Sequence, residues 1–293
     1  MPRNGCTGLG ELLPPETTTM TRSGNHEPQY LHGTKVAEQE RLEVQAKLLG
    51  GAEFLPPVKP GMRILDVGCG TGAIAREIAR RVAPGEIIGV DREEAQLETA
   101  RRLAAEEGVG NVRFHKGDAA KLDFPDDEFD AVYSRFLLEH VAGPPDAVKE
   151  MVRVVKPGGW VCAYEWENGC DACYPDSPAI RQVWLGIYRL QEILGSDAWI
   201  ARKLYGIFLR AGLKNVETEG RAWTVNARER DKLRMLIDGA LEITRQTRAG
   251  LLAEHLVPEE ILTRAKDEYQ RLLDDPETFI LAGFCRAVGT KAE

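Results

Sequence analysis

Apolar and polar positions follow two rhythms along this chain. Between residues 63 and 166, short apolar runs alternate with amphipathic stretches. Arg63–Val67, Glu86–Val90, Val112–Lys116, Phe129–Ser134 and Trp160–Trp166 read as strands bounded by turn residues. Between them, Ala73–Val82, Glu93–Glu107 and Pro145–Val155 read as helices. In the last of these, Val148, Met151, Val152 and Val155 fall at i, i+3, i+4 and i+7. Lys156-Pro157-Gly158-Gly159 supplies the stop signal. Strands alternating with helices in this way predict a doubly wound, mostly parallel α/β sheet of the Rossmann-like kind. Leu213–Val225 and Phe279–Val288 read as a sixth and a seventh strand. Glu229–Leu273 between them is mostly helical and, at about 45 residues, too long for an ordinary connection. The pattern divides the chain into a tail (1–23), N-terminal lid helices (24–56), a core (57–166) and a C-terminal half (167–293) with a helical insertion over about 227–273.

The richest local signal is Asp66-Val67-Gly68-Cys69-Gly70-Thr71-Gly72, where the first strand opens into glycines and then a helix. Glycines let the backbone take positive φ and let a ligand approach closely, and the helix start offers unpaired N–H groups. A dinucleotide fingerprint is G-x-G-x-x-G, whereas the order here is G-x-G-x-G. An acid two residues before the first glycine repels a pyrophosphate and suits a cation. The loop therefore fits a sulfonium-bearing adenosine cofactor better than NAD.

Asp91, 25 residues beyond Asp66, ends the second strand at the spacing where a βαβ unit places a carboxylate on ribose hydroxyls. The plainer alternative is a cap for the helix that follows. Asp118, after the third strand, is placed to accept from an adenine amino group, or else to close its own turn.

These motifs, taken in order, resemble those of class I S-adenosylmethionine-dependent methyltransferases over roughly residues 60–166. Within that family the small-molecule branch that includes the ubiquinone/menaquinone-biosynthesis type is the most similar. The resemblance implies that Gly68 and Gly70 approach the methionine part of the cofactor and that Asp66 sits near its amino group. It implies Asp91 on the ribose, Arg92 and Gln96 beside the adenosine, and Asp118 and Ala119 on adenine. Gln96 departs from the apolar residue common at its position. Ser134 and Arg135 would lie under the methionine moiety. Several small-molecule members carry a Tyr-x-His-Gly before an N-terminal helix, so Tyr30 and His32 are expected to close the site ahead of the helix Val36–Leu49.

Methyl transfer needs an O, N, S or C nucleophile held in line with the C–S bond and shielded from water. His140, Glu165 and His32 are the candidate bases. Tyr164 and Trp166 could shape a pocket for an aromatic or cationic acceptor. Acceptor specificity is expected in the aromatic-rich segment after Glu165 and in the insertion, which could also form a homodimer surface. A small organic acceptor is expected, with O- or N-methylation ahead of C- or S-methylation.

Charge and composition narrow the partners. A net charge of −8 with intermixed signs and no Lys/Arg-rich run argues against nucleic acid. No run reaches the roughly 18 apolar residues of a membrane span, and Met1–Ser23 lacks the apolar core of a secretory signal. A cytoplasmic enzyme follows as the expectation. Six cysteines in a chain this long do not form a disulfide framework, and Cys170-x-x-Cys173 lacks the second ligand pair that a zinc site needs, so no metal is expected. Two other classes stay open: an NAD-linked oxidoreductase, opposed by the glycine spacing, and a cofactor-binding regulator or scaffold without turnover.

Overall fold

Ile64 and Leu65 are adjacent and both fully buried, yet they join apolar clusters on opposite faces of one sheet. Successive side chains of a strand point to opposite faces, so a strand covered by helices on both sides is apolar throughout. The computed structural model describes residues 36–293. Its strands are β1 (Arg63–Val67), β2 (Glu86–Asp91), β3 (Val112–Lys116), β4 (Phe129–Arg135), β5 (Val155–Trp166), β6 (Ala172–Tyr174), β7 (Lys214–Asn226) and β8 (Phe279–Thr290). The helices are α1 (Val36–Leu48), α2 (Ala73–Val82), α3 (Glu94–Glu106), α4 (Pro144–Val154), α5 (Pro178–Ile193), α6 (Leu204–Arg210), α7 (Arg230–Ala253) and α8 (Glu259–Asp274).

β1 to β5 are parallel in the spatial order β3-β2-β1-β4-β5, and β8 runs antiparallel to β5. β7 pairs along nearly the whole of β8. The strand order reverses beside β1, which puts the crevice for a ligand at the carboxyl ends of β1 and β4.

Two details differ from the sequence expectation. The sheet has eight strands, because β6 pairs with β8 where β5 has ended. Leu281 pairs with Ala172 on one side and Thr224 on the other, so β6 continues the line of β5. Three residues carry no usable periodicity, which is why this strand was invisible in the sequence. β5 also begins at Val155 rather than Trp160, with a register shift opposite Phe129–Ala131 absorbing the glycine-rich stretch.

A third apolar cluster is built by α5, α7 and α8, with Val183, Ile187, Leu190, Ile237 and Leu251 at its centre. It reaches the sheet through Val225 and Ile280, and Trp223 packs against both it and one sheet-face cluster. No described helix is long and apolar enough to cross a membrane. On the other side, α1 is tied to the glycine loop. Glu43 accepts from the Thr71 hydroxyl at 2.6 Å and from Arg76 at 2.7 Å, while Gln39 bonds to Ala95 and Thr99 on α3. The tail 1–23 and the candidate lid residues Tyr30 and His32 lie outside the described residues.

Candidate active site

The glycine loop owes its shape to backbone that side chains tolerate poorly. Gly68, Gly70 and Gly72 have φ of 76°, 52° and 72°. A Cβ on Gly68 would stand 2.6 Å from Leu137, so the loop and the turn after β4 interlock there. A Cβ on Gly70 would meet only Leu42, at 3.7 Å, and otherwise project into open space. The N–H groups of Gly68 and Cys69 both donate to the Val90 carbonyl, at 2.7 and 3.0 Å. Asp91 completes the arrangement, its Oδ2 accepting from Gly70 N at 2.8 Å and its Oδ1 from Glu93 N at 2.9 Å. The capping role and the ligand role are thus not exclusive. Each carboxylate oxygen has a further lone pair, and Asp91 faces the cavity described next.

Above this loop opens a single cavity of about 1920 Å³. Ordinary small-ligand pockets hold about 300–1,000 Å³, so there is room for two occupants. Asp66, Gly68, Gly70, Asp91, Gln96 and Arg135 form its floor, with Arg92, Asp118 and Ala119 at one end. The stripe Leu42, Ala46 and Leu49 covers it from the α1 side. The far half is a chamber walled by Trp166, Trp184, Tyr188, Leu236, Ile243 and Tyr269.

The floor carries polar groups that the protein itself leaves unsatisfied. Nε and Nη2 of Arg135 are buried without a hydrogen-bond partner, and its guanidinium lies 5.3 Å from the Phe54 ring centroid and 4.8 Å from that of Phe136. Burial lowers its pKa to about 10, which keeps it charged at neutral pH. The Gln96 Oε1 is likewise unpartnered, and the Tyr133 hydroxyl is turned toward Asp66. Asp66 is 3% exposed, and burial raises its pKa to about 7, opposed by the Tyr133 hydroxyl and Arg135 and reinforced by Asp91. A buried carboxyl beside a buried guanidinium complements a zwitterion. An amino-acid end seated there would satisfy both, and Gln96 and Asp91 are left for the rest of an adenosine-bearing ligand. The residues present therefore fit S-adenosylmethionine.

Asp118 is exposed, and its Oδ1 accepts from Ala120 N at 2.9 Å, so it closes its own turn while standing at the cavity wall. Arg92 is exposed beside Glu93.

Three sequence expectations change. Ser134 is fully buried with its hydroxyl unpartnered and lies behind the wall, because alternation along β4 turns it away while Arg135 faces in. Glu165 does not reach the cavity either. Its Oε1 accepts from the N–H groups of Leu137 and Leu138 at 3.2 and 2.9 Å, and Oε2 has no partner. Burial first, and then the charge of Glu139, push its carboxyl well above the usual range. Its work is to hold the turn after β4, where Phe136 has φ of 53°. His140 does line the cavity, but burial lowers its pKa to about 3, with Arg41 and Arg92 acting in the same direction. A ring that reluctant to take a proton is a poor base. Its Nε2 lies 3.5 Å from Glu139 as a neutral group, so the contact is not an ion pair.

Sequence reasoning missed two carboxyls that do face the cavity, Glu139 and Asp171. Burial raises each to about 7. Glu139 sits on the short 3-10 turn Leu138–His140, hydrogen-bonded to Gln191. Asp171 accepts from the Trp166 indole N–H with both oxygens, at 3.0 and 2.9 Å. No sequence signal marked either.

Residues 64–159 match the model of the methyltransferase domain family. A sterol 24-C-methyltransferase of Aspergillus fumigatus is 41% identical over 131 residues, 44% of this chain and 34% of that one. A ubiquinone/menaquinone biosynthesis C-methyltransferase of Ectopseudomonas mendocina is 39% identical over 132 residues, 44% of this chain and 49% of that one. The chain thus spans half or less of the length of these curated relatives. Among solved structures, phosphoethanolamine N-methyltransferase 2 of Haemonchus contortus, in complex with phosphomonomethylethanolamine and S-adenosylhomocysteine, superposes with a TM-score of 0.53 at 20% identity. That match covers 84% of this chain and 52% of the other. Glycine loop, acidic strand ends, sheet order and sequence match agree on a methyltransferase domain over residues 64–159, of the kind that uses S-adenosylmethionine.

Proposed function

We propose that the protein transfers a methyl group from S-adenosylmethionine to a bulky, largely apolar organic molecule. One observation carries this reading: the floor that fits the cofactor and the aromatic chamber of α5, α7 and α8 are parts of one cavity of about 1920 Å³. The cofactor supplies a methyl group already activated on a sulfonium. Asp66 holds its ammonium and Arg135 its carboxylate, Asp91 takes the ribose hydroxyls, and Gln96, Asp118 and Ala119 border the adenosine. Gly68 and Gly70 give the backbone its close approach. α1 and the helical wall exclude water, and the chamber orients the acceptor toward the floor. Glu139 replaces His140 and Glu165 as the group that takes a proton from an O–H or N–H nucleophile, since a carboxyl near pKa 7 is matched to neutral pH. Ser134 supports the strand from behind.

The expected preference for O- or N-methylation stands beside relatives whose names specify C-methylation. The family model ends at residue 159, before the chamber helices begin, and these relatives match over 44% of this chain, so their names leave its acceptor open. Calorimetric titration with S-adenosylmethionine, S-adenosylhomocysteine and NAD tests the reading. Micromolar binding of the first two and none of NAD supports it, whereas binding of NAD alone overturns it. Binding without turnover on any apolar acceptor would favour a regulator instead.

A further inference from the structure

The chamber has an acidic end that the methyltransferase reading does not by itself require. Glu139 and Asp171 enter from different elements, the turn after β4 and the loop between β5 and β6, and the charge of Asp171 reaches Glu139. Both line the cavity, Asp171 as an exposed residue, and the charge of Arg41 acts on Glu139 from α1. The other charges of this half are matched locally. Arg41 makes two hydrogen bonds to Glu38, at 2.8 and 2.6 Å, and Arg181 is paired with Asp176.

Tyr188 supplies an independent observation. It is 6% exposed, it lines the same cavity, and its hydroxyl makes no hydrogen bond among the described residues. The charges of Asp171 and Glu139 both reach that hydroxyl. The ring is buried while the hydroxyl is open to the cavity, where a ligand can supply its partner. Aromatic rings complete the surround. Trp184 lies 5.9 Å from the Tyr188 ring, and Trp166 is fixed by its own bond to Asp171.

Resting on the methyltransferase reading, we propose that the acceptor is an amine with a bulky apolar body, its ammonium held by Glu139, Asp171 and the Tyr188 hydroxyl. An ammonium has three N–H donors, and these groups offer an acceptor for each. Carboxylates and aromatic faces together form the usual recognition chemistry for such a cation. A neutral alcohol uses only one or two of these partners and neutralises neither acid. The apolar body lies against Ile187, Leu236 and Ile243.

The test compares n-decylamine with n-decanol, below their aggregation limits, by calorimetry on full-length protein with and without saturating S-adenosylhomocysteine. The amine is expected to bind at least tenfold more tightly than the alcohol. Asp171→Asn keeps an oxygen for the Trp166 N–H; it should cut the preference to less than threefold and leave the affinities for decanol and S-adenosylhomocysteine unchanged. Glu139→Gln should lower the preference in the same direction, and Tyr188→Phe should weaken the amine several-fold. Equal affinities, or a preference for the alcohol, would overturn the proposal, as would the absence of binding by either probe. Failure of S-adenosylhomocysteine to bind would break the methyltransferase reading separately, because the amine–alcohol comparison on the ligand-free protein still decides the acidic end.

Discussion

The floor and the chamber of the cavity are built in opposite ways. The floor comes from the ends of neighbouring strands, each presenting its residue through a few consecutive positions: Asp66 to Gly72 after β1, Asp91 after β2, Asp118 after β3, Arg135 after β4. The chamber comes from segments over a hundred residues apart, with Glu139, Asp171, Tyr188, Ile243 and Tyr269 meeting only through tertiary packing. The floor is rigid where backbone conformation sets it, at Gly68, Gly70 and Phe136. The chamber is shaped by side chains, and these are the positions free to change the acceptor. On the proposed function, one region fixes the chemistry and the other chooses its target.

Asp91→Ala should separate the two most strongly. Asp91 holds the N–H groups of Gly70 and Glu93 and is placed for the ribose. Charge-assisted bonds of this kind are worth roughly 2–3 kcal/mol, so S-adenosylhomocysteine affinity should fall about 30–150-fold while chamber ligands are spared. Unchanged affinity would return Asp91 to plain capping. Gly70→Ala comes next. The methyl group meets only Leu42, but φ of 52° strains any side chain, so stability should fall by about 1–2 kcal/mol, while overlap with a ligand costs about 1–3 kcal/mol more in binding, roughly 5–150-fold in affinity. A variant that binds normally would show that the cofactor lies elsewhere.

A pH titration sharpens the same contrast. Asp66 has a pKa of about 7 in the ligand-free protein, so it is mostly neutral below that pH and offers an ammonium no counter-charge. Affinity for S-adenosylhomocysteine should rise about tenfold between pH 6 and pH 8 and then level off, and Asp66→Asn should flatten the rise. Stability runs the other way. Burial favours the protonated forms of Asp66 and Glu139, so that stabilisation is complete below about pH 4 and is lost as pH rises through about 7. The smallest effect belongs to Glu165→Gln, which keeps an oxygen for the N–H groups of Leu137 and Leu138. Cofactor affinity should change less than about threefold, whereas Glu165→Ala leaves two N–H groups unpartnered and costs about 2 kcal/mol of stability.

The same division explains what could be read in the sequence. Strands and helices between 63 and 166 follow from local periodicity, and the floor residues follow because each stands directly after its strand. Ser134 and Arg135 show the limit. Adjacency put both at the site, and strand alternation, which depends on the face that β4 presents, separated them. His140 and Glu165 looked like the better bases, but burial silenced both and left Glu139 facing the cavity. Nothing local marks Asp171, because its neighbours Trp166 and Tyr188 become neighbours only when β5, α5 and β8 are in place. The unpartnered nitrogens of Arg135 are likewise a property of packing rather than of spacing.

The most direct test of the central claim is a crystal structure of the protein bound to S-adenosylhomocysteine. The two-part cavity predicts the amino group at Asp66, the carboxylate at Arg135, the ribose at Asp91 and the sulfur facing the chamber beside Glu139. A ligand whose sulfur points away from the chamber, or whose amino-acid end leaves Arg135 unpartnered, would contradict it.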